Sequence, residues 1–141
     1  MPRADFYLIA KPRFRDDPLL LVCELARKAH DAGSPTLILA RDAEQAEAID
    51  DALWSFDPDA YIPHQIVGLD QDEDEAPVLI ASPDCDAPGR ALIINLRDEA
   101  VSLPCDRVLE VVPADASARE PLRQRWREYQ ARGFELNKHD M

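Results

Sequence analysis

The stretch Asp17–Ala40, D-P-L-L-L-V-C-E-L-A-R-K-A-H-D-A-G-S-P-T-L-I-L-A, reads as one helix followed by one buried strand. Asp17-Pro18 is a helix-start signal, with Asp as N-cap and Pro at the first helical position, where its missing N–H costs nothing. Leu19, Val22, Cys23 and Ala26 then recur at helical spacing. Arg27, Lys28 and His30 fall in the last turns, where cations complement the helix dipole, and Gly33 closes the helix. Thr36–Ala40 is apolar without alternation, as expected of a strand covered on both faces.

The same unit extends in both directions. Upstream, Asp5–Ala10 (D-F-Y-L-I-A) is a short apolar run that predicts a buried strand, joined to the helix by a polar loop, K-P-R-F-R-D. Downstream, Asp42 and Gln45 resemble a capping box that opens a helix through about Trp54. Its inner stripe is Ala46, Ile49 and Leu53, and its acidic outer face, Glu44, Glu47, Asp50 and Asp51, reads as solvated. Strand–helix units in succession predict a parallel sheet. Val78–Ala81, Ala91–Leu96 and Arg107–Val112 supply further strands, Pro113 ends the last, and a C-terminal helix completes the domain. The expectation is α/β: a single three-layer α/β/α domain over residues 1–141 with a largely parallel central sheet, Rossmann-like without a nucleotide-binding loop.

Composition narrows the function classes. The 141 residues are 46% hydrophobic and 31% charged, an ordinary globular balance. No apolar run approaches the roughly 20 residues of a membrane span, and the N-terminal stretch has no signal-peptide core. Cys23, Cys85 and Cys105 are too widely spaced for a zinc site or a disulfide framework, which suits a reduced, cytoplasmic setting. The net charge of −12 opposes broad contact with a nucleic-acid backbone, so direct binding to DNA should be slight.

Catalytic chemistry finds little support. The turn after the first strand, A-K-P-R-F-R-D-D-P, has no glycine, and Gly33, Gly68, Gly89 and Gly133 are not clustered, so no phosphate cradle is formed and no cofactor is expected. Cys23 lies on the apolar face of its helix and reads as core, not nucleophile. His64, in Y-I-P-H-Q, is a possible general base with no visible orienting partner. The acidic run Asp70–Glu75 lacks the glycine and terminal glutamate of a calcium loop and reads as a solvated loop. An enzyme using His64 and this loop is the competing class, and no metal site is expected.

Two surfaces have the character of binding sites. Ser117–Phe134, S-A-R-E-P-L-R-Q-R-W-R-E-Y-Q-A-R-G-F, gathers Arg119, Arg123, Arg125, Arg127 and Arg132 in an acidic chain. On a helical wheel Leu122, Trp126 and Tyr129 form an apolar stripe facing the sheet, with Arg119, Arg123 and Arg127 in a row beside it. An aromatic wall next to guanidinium groups suits a ligand with carboxylates and an apolar end. Arginines that merely solubilise an exposed face are the alternative, each ion pair then being worth about 0–1 kcal/mol. Pro121 leaves two starts open: Ser117 caps with Glu120 as box partner, or the helix begins near Pro121 with Arg119 just outside. Gly133 suits a left-handed cap, with Phe134 folding back towards Tyr129. The second surface is Trp54, Phe56, Tyr61, Pro63 and Ile66, bulky groups in a turn-rich stretch that either pack on the sheet or anchor a partner.

D-F-Y-L-I, L-V-C-E-L-A, D-D-A-L-W, Y-I-P-H-Q and R-W-R-E-Y-Q-A-R-G-F-E-L-N, in this order and spacing, together resemble the chi subunit of bacterial DNA polymerase III, from about Asp5 to Asn137. The resemblance implies a non-catalytic accessory subunit of the DNA-directed DNA polymerase III holoenzyme, acting at the clamp loader in DNA replication. It implies a bridge between the psi subunit and the acidic, Phe-ending tail of single-stranded-DNA-binding protein. The tail pocket carried over is Val112, Arg119, Arg123, Trp126 and Arg127. The psi contact carried over is Trp54, Tyr61, Pro63 and Ile66, to which our reading of the residues adds Phe56. A helicase of the XPD-like type is a further implied partner at the same apolar surface. Trp126-Arg127 stand where the family pattern has Tyr-Lys, and Arg119 where it has Lys; both exchanges keep the aromatic-plus-cation chemistry.

Overall fold

A computed structural model describes residues 2–56, 62–67, 76–87 and 89–141. The chain runs β1 (Arg3–Leu8), α1 (Pro12–Asp16), α2 (Pro18–Asp31), β2 (Thr36–Leu39), α3 (Ala43–Ser55), β3 (His64–Ile66), β4 (Val78–Ala81), β5 (Leu92–Asn95), β6 (Arg107–Val112), α4 (Arg119–Ala131) and β7 (Glu135–Asp140). Among the described residues seven strands form one sheet in the order β3-β4-β2-β5-β6-β1-β7, and every pairing is parallel.

The central strands are buried along their whole length, which explains why T-L-I-L, V-L-I-A and L-I-I-N are apolar runs without alternation. Period-two geometry still divides them between two cores. Ile38, Ile80 and Ile94 meet Val22, Ala26 and Ile49 under α2 and α3. Leu37, Leu79 and Ile93 meet Phe6, Val108 and Tyr129 on the opposite face, under α4. Helices on both faces of a parallel sheet make the three-layer α/β/α domain the sequence predicts.

Several local signals act as their chemistry requires. Asp42 Oδ1 accepts from the Gln45 N–H at 2.7 Å, and Gln45 Oε1 reaches back to the Arg41 N–H at 2.7 Å, so the box at the start of α3 forms one residue wider than its simplest version. At the end of α2, Gly33 takes φ +71° and the Ser34 N–H returns to Ala29 O at 2.9 Å. Gly133 repeats the device after α4 at φ +85°, with the Phe134 N–H on Tyr129 O at 3.0 Å and the two rings 5.0 Å apart.

Four expectations need correction. K-P-R-F-R-D is not a loop: Pro12–Asp16 makes a short helix, because Phe14 buries itself against the α2 face and Arg13 pairs with Glu24 at 2.6 Å. Asp17 holds the N-cap position of α2, but its side chain caps nothing. Strands β3 and β7 lie where the sequence suggests a turn-rich segment and a chain end. Both are edge strands, half solvated, and so lack the apolar run that marks the central ones.

At the carboxyl ends of β2 and β4, where Rossmann-like folds take phosphate, the Arg97 side chain lies across the crest. Its Nε donates to Ala40 O at 2.8 Å and its Nη2 to Ala81 O at 3.1 Å, and burial lowers its pKa.

Candidate functional site

The arginine helix is set in place by a buried carboxylate. Glu110, midway along β6, points to the α4 face and is fully buried. Tyr129 Oη donates to Glu110 Oε2 at 2.6 Å, and Asn95 Nδ2 donates to the same oxygen at 2.9 Å. Arg125 Nε stands 2.9 Å from Glu110 Oε1, an ionic contact off hydrogen-bond alignment, while its Nη1 donates to Asp98 O at 3.0 Å. Burial raises the Glu110 pKa against the opposing pull of these donors, and burial, then the Glu110 charge, raises that of Tyr129. With Arg125 and Tyr129 anchored, the rotation of α4 about its axis is fixed. Arg123 and Arg127, displaced from Arg125 by about 200° on the wheel, must then face away from this network.

Arg125 therefore leaves the basic island that the sequence suggests. Arg132 leaves it too, pairing with Glu128 and donating to Val101 O. Arg119, Arg123 and Arg127 remain exposed. Both proposed starts of the helix are corrected. Asp115 caps a 3₁₀ turn, Ala116–Ala118, by accepting from the Ser117 N–H at 3.0 Å, and α4 follows with Arg119 as its first residue. Pro121 is the third residue of α4, in the first turn, where N–H groups have no helical acceptor. Arg119 is thus inside the helix, one turn before Arg123.

Between α4 and β7 lies a groove of about 270 Å³, lined by Leu122, Arg123, Trp126, Arg127 and Lys138. Its floor is aromatic: Trp126 lies 5.1 Å from the Phe6 ring, which is in turn 6.0 Å from Tyr129. Among the described residues Arg127 and Lys138 make no ion pair, and Arg123 approaches only the exposed Glu120, at 3.8 Å. Of the five residues assigned to a pocket from sequence, Arg123, Trp126 and Arg127 come together here. Arg119 is exposed one turn away, outside the lining. Val112 is 4% exposed and belongs to the core beneath α4. Lys138 escaped the sequence reading; alternation along E-L-N-K-H-D, with Leu136 inward, is the signal that places it on this face.

The second surface gathers at the end of α3 and along β3. Trp54 is 58% exposed, the one large hydrophobic so exposed among the described residues. Phe56 and Ile66 are half-buried against the α2/α3 core, Pro63 is half-buried, and Tyr61 lies outside the described residues, as does the run Asp70–Glu75. His64 does have orienting partners. Its Nδ1 is 2.7 Å from Ile62 O, its Nε2 is 2.9 Å from Asp50 Oδ1, and Trp54 stacks edge-on at 5.1 Å. Its side chain is 1% exposed, so it is enclosed by the chain instead of presented as a base. Cys23 is buried as expected, and burial pushes its thiol up to about 12.

The two surfaces occupy opposite edges of the sheet, β3 and β7, and opposite faces. Seven strands at the usual spacing separate those edges by about 30 Å.

The family model described as "DNA polymerase III chi subunit, HolC" matches residues 1–137. The chain belongs to the DNA polymerase III chi subunit family. DNA polymerase III subunit chi of Pseudomonas aeruginosa is 34% identical over 99% of this chain and 96% of its own length. The Escherichia coli K12 chi subunit is 32% identical over 97% of each chain. Membership makes this an accessory subunit of the replicative polymerase. Among solved structures, a chain of the Saccharomyces cerevisiae assembly of Dbp5 bound to Nup159 and Gle1 matches with a TM-score of 0.63 at 12% identity, covering 97% of this chain and 41% of that one, a likeness of fold alone. No helix among the described residues is long and apolar enough to cross a membrane.

Proposed function

We propose that this chi-family chain is a non-catalytic bridge within the DNA polymerase III holoenzyme. Its α4/β7 groove takes the acidic, Phe-ending tail of single-stranded-DNA-binding protein, and its Trp54 surface holds the psi subunit of the clamp loader. The observation that carries this reading is an apolar groove rimmed by cations that have no strong partner among the described residues, in a chain of net charge −12. Such a groove selects a ligand that is both acidic and apolar-ended.

Arg119, Arg123 and Arg127 attract the tail, and its terminal ring packs on Trp126. Burying a Phe contributes roughly 1.5–3 kcal/mol, and the charges chiefly raise the association rate and make affinity fall with salt. Micromolar binding, about −8 kcal/mol, is sufficient, because many tails presented on coated DNA act together. Contact with DNA is then indirect, and the chain sits with the replisome in the cytoplasm through its partners. An XPD-like helicase would compete with psi for Trp54, Phe56, Pro63 and Ile66.

Titration calorimetry with an acidic, Phe-terminated peptide tests the groove. Micromolar binding by the wild type, weakened at least tenfold by Arg123→Glu and by Trp126→Ala, is the expected result. Unchanged affinity in both variants would overturn the assignment.

A further inference from the structure

Resting on that reading of the groove, we infer that Lys138 is a specificity-determining residue that receives the α-carboxylate of the bound tail, dividing the work with the arginines of α4. Lys138 reaches the groove from the other wall. It is paired in register with Phe6, so its side chain rises on the same face of the sheet, beside the ring on which Trp126 packs. It lines the groove opposite Arg123 and Arg127 and makes no ion pair among the described residues. The two walls offer different chemistry. Arg119, Arg123 and Arg127 follow one another a turn apart along α4, a ladder of forked donors suited to successive side-chain carboxylates. Lys138 is a single point charge on an edge strand, suited to one carboxylate.

The size of the groove decides which carboxylate that is. At about 270 Å³ it lies below the usual range for small-molecule sites, so it admits one side chain and not a length of peptide. When the ring of a C-terminal residue fills it, that residue's α-carboxylate is held two bonds from the ring-bearing carbon and must lie at the rim. The preceding acidic residues trail away along α4. Asp140, two residues beyond Lys138 and on the same face of β7, repels a carboxylate placed further along the strand. With the arginines of the opposite wall engaged by the preceding carboxylates, the terminal carboxylate at the rim falls to Lys138, and a chain continuing past the aromatic residue would carry its next peptide into this wall.

The test uses fluorescence anisotropy on the full chain with three labelled acidic peptides: one ending in Phe as the free acid, the same peptide amidated, and the same peptide extended by one glycine. Wild type should lose about tenfold in affinity on amidation and on extension. Lys138→Met should bind the free acid about tenfold more weakly and treat acid and amide alike within about twofold, whereas Lys138→Arg should keep the preference. Lys138 is exposed, so neither variant disturbs the core. Full retention of acid-over-amide discrimination by Lys138→Met, or none in the wild type, would overturn the role of Lys138 while leaving the groove intact. Failure of the wild type to bind any of the three would overturn the groove reading and this inference with it.

Discussion

Replacing Arg125 by methionine should destabilise the fold far more than the same change at Arg127, two residues away. Arg125 is the counter-charge of a fully buried carboxylate and donates to Asp98 O; Arg127 is exposed. Removing one partner of a buried ion pair costs about 3–5 kcal/mol, because the other charge stays desolvated. Domains of this size unfold with a total of about 5–15 kcal/mol, so the loss is a large share of stability. At roughly 3–4 °C per kcal/mol, Arg125→Met should lower Tm by about 10–20 °C, while Arg127→Met stays within about 0.5 kcal/mol of wild type. Thermal and urea denaturation followed by circular dichroism read the Tm and the free energy of both variants. The double variant Glu110→Leu/Arg125→Met removes both charges and should recover much of the loss. An Arg125→Met protein as stable as wild type, or a double variant worse than the single, would refute the claim that this pair fixes the helix.

Two other outcomes follow from the same structure. Burial pushes Asp5 up, but bonds from His139, Arg107 and Arg3 outweigh it and hold the carboxyl below its ordinary value. A depressed carboxylate stabilises the fold above its unfolded pKa, near 3.9, and that stability is lost as pH falls through the folded value. Asp5→Asn should therefore show a shallower drop in urea midpoint than wild type between about pH 5 and pH 3; parallel curves would contradict this. Trp54→Ala, at an exposed site, should leave stability nearly unchanged but weaken psi binding by about 2 kcal/mol, roughly thirtyfold, in calorimetry. Wild-type affinity for psi in this variant would remove Trp54 from the interface.

What was legible in the sequence follows from burial. Val78–Ala81 is legible to the residue because a strand covered on both faces is apolar throughout, and Arg107–Val112 is legible from its branched apolar residues even though it carries the buried Glu110. The edge strands His64–Ile66 and Glu135–Asp140 carry no such demand, and with β7 went Lys138, which only the folded register brings to α4. The wheel correctly set Leu122, Trp126 and Tyr129 toward the sheet, but could not tell Arg125 from its neighbours, since its partner Glu110 lies on another element. Pro121 leaves the helix start open because a single sequence does not show whether a 3₁₀ turn will precede it. Val112 came to the pocket by resemblance alone, and the packing of α4 puts it in the core.

Bridging requires both surfaces to be filled at once, and their positions at opposite edges of the sheet allow it. The direct measurement is titration of the acidic, Phe-ended peptide into the chain already saturated with psi. The account predicts a ternary complex with peptide affinity within about twofold of the free chain. Displacement of psi by the peptide, or loss of peptide binding when psi is present, would contradict it.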